Sequence, residues 1–387
     1  MFGALRYTLQ SLAGDEERAG KALIAWTRSS SGWTGGQYSL LRLAFALSAL
    51  AYAAALWLGG EDGSLGQRWV ATLMILCLAL PLGMGLLDRM AACALAFALL
   101  LHRFLSPEPD FFVSWPAFES LLILHAFVPH APYASFAARA RASPAGDWYL
   151  PDAIHDMAWL VLGLTHLLSG LAAFGALSSW AEAGVWDQVS IALHLGFLPL
   201  ALFHRSRILA FVLGMSSLAF GPWDAEIILA FTAHLACFSP AWIPGSSPKK
   251  ETLFYDGECG LCHIAVRFCL AEDSSGGLWS FAPLGGSTFT ARVPEATRSK
   301  LPDSIIVLTA EGEILSQSSA VVRCLSRLGG VWRLLALLLF LVPAPLRDAI
   351  YKGVAKVRHH LFVRPDSACP LVPESLRSRF LLDEDTL

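Results

Sequence analysis

Between Tyr38 and Trp242 the apolar residues run in long blocks separated by short polar loops. The blocks lie at Tyr38–Leu58, Trp69–Leu87, Met90–Leu105, Phe111–Val128, Ile154–Leu177, Gln188–Phe203, Arg207–Phe220 and Asp224–Trp242. A helix that crosses a bilayer needs about 20 apolar residues, within a range of roughly 17–25. The pattern therefore predicts a polytopic α-helical membrane domain of about eight spans over residues 38–243. The sixth and seventh blocks are short, and the seventh ends at Gly221-Pro222, so a re-entrant or tilted piece is the other reading there. Residues 1–37 form a polar lead-in. Its Leu5, Leu9, Leu12, Leu23, Ile24 and Trp26, with Arg6, Arg18, Lys21 and Arg28, suit an interfacial segment on an anionic membrane surface.

Beyond Trp242 the pattern changes. Residues 244–250, with their Pro, Gly and Ser, read as a linker. Residues 251–387 then read as a compact domain: strand Thr252–Tyr255, helix Cys259–Ala271, strand Leu278–Phe281, and a short helix near Pro294–Lys300. A hairpin follows, Ile305–Leu308 and Glu313–Leu315, with Gly312 at the left-handed position of a three-residue turn. Helix Ser319–Leu328 comes next. The apolar run Val331–Val342, 12 residues long, is too short to span and predicts a buried or membrane-facing helix. A helix from Pro345 to about His360 and a tail finish the chain. This order predicts an α/β thioredoxin-like domain with a helical C-terminal extension.

Composition agrees with the split. The chain is 55% hydrophobic and 15% charged, against about 25% charged in soluble proteins. The net charge of −3 gives no footing for nucleic acid binding. Basic loops (Arg139 and Arg141; Arg205 and Arg207; Lys249 and Lys250) alternate with acidic ones. With eight spans, that pattern puts both termini in the cytoplasm of a bacterial cytoplasmic membrane. No signal peptide is evident in the first 30 residues. The partners expected are the lipid bilayer and protein or small-molecule thiols; the oligomeric state is not set by the sequence.

The chemistry centres on Cys259-Gly260-Leu261-Cys262. A Cys-x-x-Cys between a strand and a helix is a redox arrangement. Exchange needs an exposed thiolate to attack and a second thiol to resolve the mixed disulfide. The helix N-terminus favours a thiolate, so Cys259 is the expected nucleophile and Cys262 the resolver. Asp256 either serves the thiols as a proton acceptor or caps the turn into the helix. Cys369 is a candidate third thiol. His263 is a candidate accessory residue, because Cys259 and Cys262 with His263 and Cys369 have zinc-ligand chemistry and Cys259 to His263 also matches a haem attachment pattern. No complete metal site is expected. Cys269 and Cys324 lie on apolar faces and read as core. A thioredoxin domain carries a cis-proline opposite its cysteines, for which Pro302 and Pro283 are the candidates.

Most of the 11 histidines fall in the helical half. Ionisable groups at membrane depth are functional candidates. His155 and His166 share one helix face, and His194 and His234 lie in other blocks. Together they offer a polar pocket, a metal site, or a site for a quinone or other lipid-soluble redox carrier; the alternative is packed, hydrogen-bonded histidines.

Residues Tyr255-Asp256-Gly257-Glu258-Cys259-Gly260-Leu261-Cys262, Asp303-Ser304-Ile305 with Ser319-Ala320-Val321, and Leu346–Tyr351 through Val354–Arg358 together resemble the DCC family of thiol-disulfide oxidoreductases. The resemblance implies a thioredoxin-like fold and redox function. Leu168-Ser169-Gly170 and His234–Trp242 resemble the membrane domain shared with vitamin K-dependent carboxylases (the HTTM domain). No lysine occurs in Leu171–Gly175, where that family carries one, which argues against carboxylase chemistry. The function expected is a membrane-bound thiol-disulfide oxidoreductase that exchanges electrons with a membrane-embedded acceptor. The other reading is a transporter or lipid-handling membrane protein whose cytosolic domain senses redox state.

Overall fold

The structure is a computed structural model. It describes residues 31–59, 65–105, 114–139, 141–146, 148–177, 180, 184–219, 225–273, 275–361 and 373–381. The first half is helical: α1 (Gly35–Gly59), α2 (Leu65–Met84), α3 (Asp88–Leu105), α4 (Ser114–His125), α5 (Asp152–Gly175), α6 (Val185–Leu202), α7 (Arg207–Ala219) and α8 (Ala225–Ala236). The second half holds β1 (Glu251–Tyr255), α9 (Gly260–Glu272), β2 (Trp279–Pro283), α10 (Ser287–Arg292), α11 (Glu295–Arg298), β3 (Ile306–Leu308), β4 (Ile314–Ser316), α12 (Gln317–Leu328), α13 (Gly330–Leu341), α14 (Ala344–Leu361) and α15 (Glu374–Arg377).

Helices fall where the apolar blocks lie, but the count of eight spans does not hold. Among the described residues three helices are long and apolar enough to cross a bilayer, Gly35–Leu58, Asp152–Gly175 and Val185–Leu202. For α3, α4, α7 and α8 the physical reason is length and charge. At 1.5 Å per residue, the 12 or 13 residues of α4, α7 and α8 reach roughly 18–20 Å, against about 30 Å of hydrocarbon. Helix α3 carries Asp88, Arg89 and Arg103. Helices α13 and α14 together are apolar enough for a fourth span but bend by 112° at their break. In α6 only 17% of the apolar window is buried, so most of its apolar surface faces outward, as a lipid-facing helix requires.

One apolar core binds the helical half, with Phe45, Leu82, Leu95, Phe118 and Trp159 at its centre. A polar cluster is set into it. Tyr38 Oη bonds His125 Nδ1 at 2.5 Å, and Asp88 Oδ2 lies 3.6 Å from His125 Nε2 and 3.8 Å from Arg42 Nη1.

The C-terminal half is built on a four-stranded sheet of order β2-β1-β3-β4. Strand β1 runs parallel to β2, with Leu253 opposite Phe281. It is antiparallel to β3, with Leu253 opposite Val307, and β3 pairs antiparallel with β4. The hairpin turns at Gly312, whose φ is +89° as its position demands. Period-two alternation divides the sheet's faces. Leu253, Tyr255, Phe281 and Val307 pack with α9 and α12, while Phe254, Ala282 and Ile306 pack with Phe289 and Val293. Beyond β2, Phe281 and Phe380 bridge, so the C-terminal residues cover that edge.

Helix α9 ties the halves together. Its last residue, Glu272, is buried and accepts the Gly36 amide at 2.8 Å, the Trp332 indole N–H at 2.6 Å and the Thr34 hydroxyl. Gln37 donates to Thr34 Oγ1 at 2.9 Å and accepts from the Val331 amide at 2.8 Å. A carboxylate thus sits at the N-terminus of α1, where the helix dipole favours negative charge. Glycine at 36 permits the approach, since a Cβ there would lie 2.6 Å from Glu272 Oε1. Earlier in α9, Arg267 Nη2 donates to the Arg141 carbonyl at 2.6 Å. The segment read as a linker is tied down as well: Gly330 N bonds Ile243 O at 2.7 Å and Ser246 N bonds Ser326 O at 3.0 Å.

Candidate functional site

Strand β1 delivers the chain to a tight loop, and α9 starts on its far side. Asp256 makes the turn. Its Oδ1 accepts the Glu258 amide at 2.8 Å, and its carbonyl accepts the Cys259 amide at 3.3 Å. These are the contacts of the turn-capping reading. Cys259 is the N-cap of α9, with extended backbone (φ −101°, ψ 113°), and its Sγ accepts the Cys262 amide at 3.4 Å. His263 is largely buried; with a carbonyl as acceptor, its Nε2–H donates to Gly257 O at 3.0 Å. It also meets the Tyr255 ring edge-on at 5.9 Å. His263 thus pins the loop that carries Cys259.

Both cysteines are free thiols and both are buried, Cys259 at 1% exposure and Cys262 at 4%. The expected exposure of the first thiol is therefore not met in this conformation. Cys259 belongs to the apolar cluster of Leu253, Tyr255, Val266 and Phe281. Burial pushes the Cys262 thiol up to about 12, with the hydrogen bond to Cys259 adding to it. Cys269 and Cys324 are buried in the same cluster and hydrogen-bond each other, which raises Cys324 further than its burial alone. Among the described residues no peptide bond is cis, at Pro302 and Pro283 included. Cys369 lies outside the described residues.

The histidines of the helical half divide. His155 stands apart, its Nε2 3.2 Å from the Phe238 carbonyl. His166, His194 and His234 converge from α5, α6 and α8. His166 Nδ1 lies 2.8 Å from His194 Nδ1, and His166 Nε2 lies 3.1 Å from His234 Nε2. The proton positions follow for neutral rings. His234 Nδ1–H must donate to the Ala230 carbonyl at 2.7 Å, so its Nε2 accepts from His166 Nε2–H. His166 Nδ1 in turn accepts from His194 Nδ1–H. Phe197 stacks on His166 at 4.1 Å. Among the described residues no group of three His, Cys, Asp or Glu is placed to hold a metal ion. The Tyr38–His125–Asp88 cluster went unread in the sequence. Its signal is the presence of ionisable residues at positions 88 and 125, inside or beside apolar blocks.

The family model for DCC1-like thiol-disulfide oxidoreductases matches residues 253–364, the stretch that holds the dithiol, the hairpin and α12 to α14. The uncharacterized protein YuxK of Bacillus subtilis is 35% identical over 136 residues, 34% of this chain and 94% of that protein. A chloroplastic DCC family protein of Arabidopsis thaliana is 27% identical over 119 residues, 31% of this chain and 69% of that protein. No solved structure matches. The family match contains Cys259 and Cys262 and leaves out the helical half, so it is through its C-terminal domain that the chain belongs to the DCC1-like thiol-disulfide oxidoreductase family.

Proposed function

We propose that the protein is a membrane-bound thiol-disulfide oxidoreductase in which Cys259 attacks and Cys262 resolves. The observation that carries this is the cap: Cys259 Sγ stands at the N-terminus of α9 and accepts the Cys262 amide. A sulfur there faces backbone donors that hold negative charge, and the second sulfur lies one turn away. Cys262, kept protonated by burial, suits a resolver that supplies its sulfur only after a mixed disulfide has formed. The sheet order β2-β1-β3-β4, with α9 after β1, supports a thioredoxin-like reading of the domain. Asp256 and His263 position the loop.

The three apolar helices support integral membrane association. Lys249 and Lys250, directly after the helical half, support the cytoplasmic side for the redox domain. The count that put both termini there no longer contributes, because it rested on eight crossings. Thiol partners reach the domain from the aqueous side, and the electrons pass to or from a membrane-embedded acceptor. The HTTM-like residues around Gly170 and His234 support an anchoring and docking role for the helical half.

The test is trapping. Cys262→Ser is expected to accumulate mixed disulfides with partner thiols that a reductant releases, and Cys259→Ser is expected to accumulate none. If the two variants trap alike, or if alkylation finds both cysteines in one state under every oxidant and reductant, the assignment fails.

A further inference from the structure

A cavity of about 370 Å³ lies between α9, α12, α13 and α14. That volume is within the range of about 300–1,000 Å³ typical of small-molecule sites. Leu261, Ala265, Val321, Leu339, Ile350 and Val354 make its wall apolar. Cys262 also lines it, whereas Cys259 does not. The resolving thiol is therefore the one that meets whatever enters.

Three observations choose the occupant. The apolar wall suits an apolar molecule and is a poor match for charged peptide thiols such as glutathione. Arg347 lines the cavity, and its Nε and Nη1 are buried without a hydrogen-bond partner. A buried unmet donor is costly, so the occupant should present an acceptor oxygen. The rim continues into exposed apolar surface, with Leu341, Leu346, Ile350 and Val357 outward on the bent α13–α14 pair. An exposed apolar patch of this kind marks a lipid or partner surface, and a molecule held in lipid can enter along it.

We propose that this cavity binds a lipid-soluble quinone, which the Cys259–Cys262 dithiol reduces. The inference rests on the redox reading above and names its acceptor. The ring fills the apolar space, a carbonyl oxygen accepts from Arg347, and the isoprenoid tail leaves along α14 toward the membrane. In the step, two S–H bonds break and one S–S bond forms between Cys259 and Cys262. The two electrons and two protons pass to the quinone, giving the hydroquinone. A protein or small-molecule thiol donor then restores the dithiol by exchange.

The experiment uses the full-length protein in nanodiscs, reduced, desalted and held without oxygen. The probe is ubiquinone-1, whose ring positions are all substituted, so the thiols are oxidised rather than arylated. One hydroquinone per Cys259–Cys262 disulfide is expected, read by absorbance and peptide mass spectrometry. Val354→Trp narrows the cavity and Arg347→Gln removes its donors. Each is expected to lower the quinone rate at least ten-fold relative to the rate of disulfide formation by diamide in the same preparation, with partial recovery in Arg347→Lys. Circular dichroism and Tm establish that the variants are folded. The proposal is overturned if diamide forms the disulfide but ubiquinone-1 does not, or if neither variant changes the rate ratio. It is also overturned if lipoamide oxidises the pair faster than the quinone with the same sensitivity to both variants. Failure of diamide itself to form the disulfide removes the redox reading and this proposal with it.

Discussion

The carboxylate of Glu272 accepts the backbone amide of Gly36 at 2.8 Å, across 236 positions of sequence. One helix thus carries the dithiol at its start and, at its end, caps the first long apolar helix. Glu272→Ala would leave the Gly36 amide, the Thr34 hydroxyl and the Trp332 indole buried without an acceptor. At about 1–3 kcal/mol for each stranded donor, with partial rescue by water, a loss of roughly 3 kcal/mol or more is expected. Glu272→Gln keeps one acceptor oxygen and should lose about half as much. Thermal unfolding in detergent checks the order. Faster tryptic cleavage after the exposed Lys249 and Lys250 should accompany the Ala variant, because the junction that holds the halves together has opened.

Glu251 is the matching case inside the redox domain. Its Oε1 lies 2.9 Å from Arg327 Nη1, and both side chains are fully buried. It also pairs with Arg323, which is a quarter exposed. Removing one partner of a buried pair leaves an uncompensated charge and costs about 3–5 kcal/mol. Partly exposed pairs contribute about 0–1 kcal/mol. Glu251→Ala is therefore expected to destabilise severalfold more than Arg323→Ala in chemical denaturation. Equal losses would mean that the bonds Arg327 already donates to the Lys249 and Leu278 carbonyls are enough to hold its charge.

The redox domain was legible because each of its signals is local. The dithiol, the Gly312 turn and the period-two strands occupy windows of a few residues, and the strand–helix–strand order falls out of them. The span count departs from the structure for the same reason. The apolar block Asp224–Trp242 has the same composition whether it crosses lipid or packs inside a helical bundle, and that its helix α8 covers only Ala225–Ala236 is not written in that composition. The cap of Glu272 on Gly36, the meeting of His166 with His194 and His234, and the burial of Cys259 depend on contacts between distant segments. No window of sequence contains them.

Cys262 has a thiol pushed from 9.0 to about 12, first by burial and then by Cys259. The sign follows directly. A raised value favours the protonated form in the folded state, so this group's contribution to stability is complete below pH 9. It declines as pH rises toward 12. Peptide-resolved alkylation of the reduced protein should therefore find Cys262 slow at pH 7–9 and faster only above that range. Denaturant midpoints should fall over the same alkaline window, and by less in Cys262→Ala. A Cys262 alkylation rate that levels off below pH 9 would contradict the burial described here.

His166 is the middle member of the imidazole chain, so substitutions along the chain should be graded. His166→Phe keeps the ring stacked on Phe197 but strands both His234 Nε2 and His194 Nδ1. With about 1–3 kcal/mol for each buried unmet group, roughly 2–4 kcal/mol is expected. His194→Phe strands only His166 Nδ1, and because His194 is half-buried the loss should be about 1–2 kcal/mol. His155→Phe removes the longer contact with the Phe238 carbonyl and the neighbouring one to the Cys237 backbone, outside the imidazole chain, and should fall below His166→Phe. Tm in detergent reads the series, and Cys259–Cys262 cycling by diamide and dithiothreitol is followed in parallel. If the chain acts through packing, the order of Tm losses is His166 first, and thiol cycling persists in all three. Loss of cycling in His166→Phe at an unchanged Tm would instead tie the imidazole chain to the dithiol chemistry.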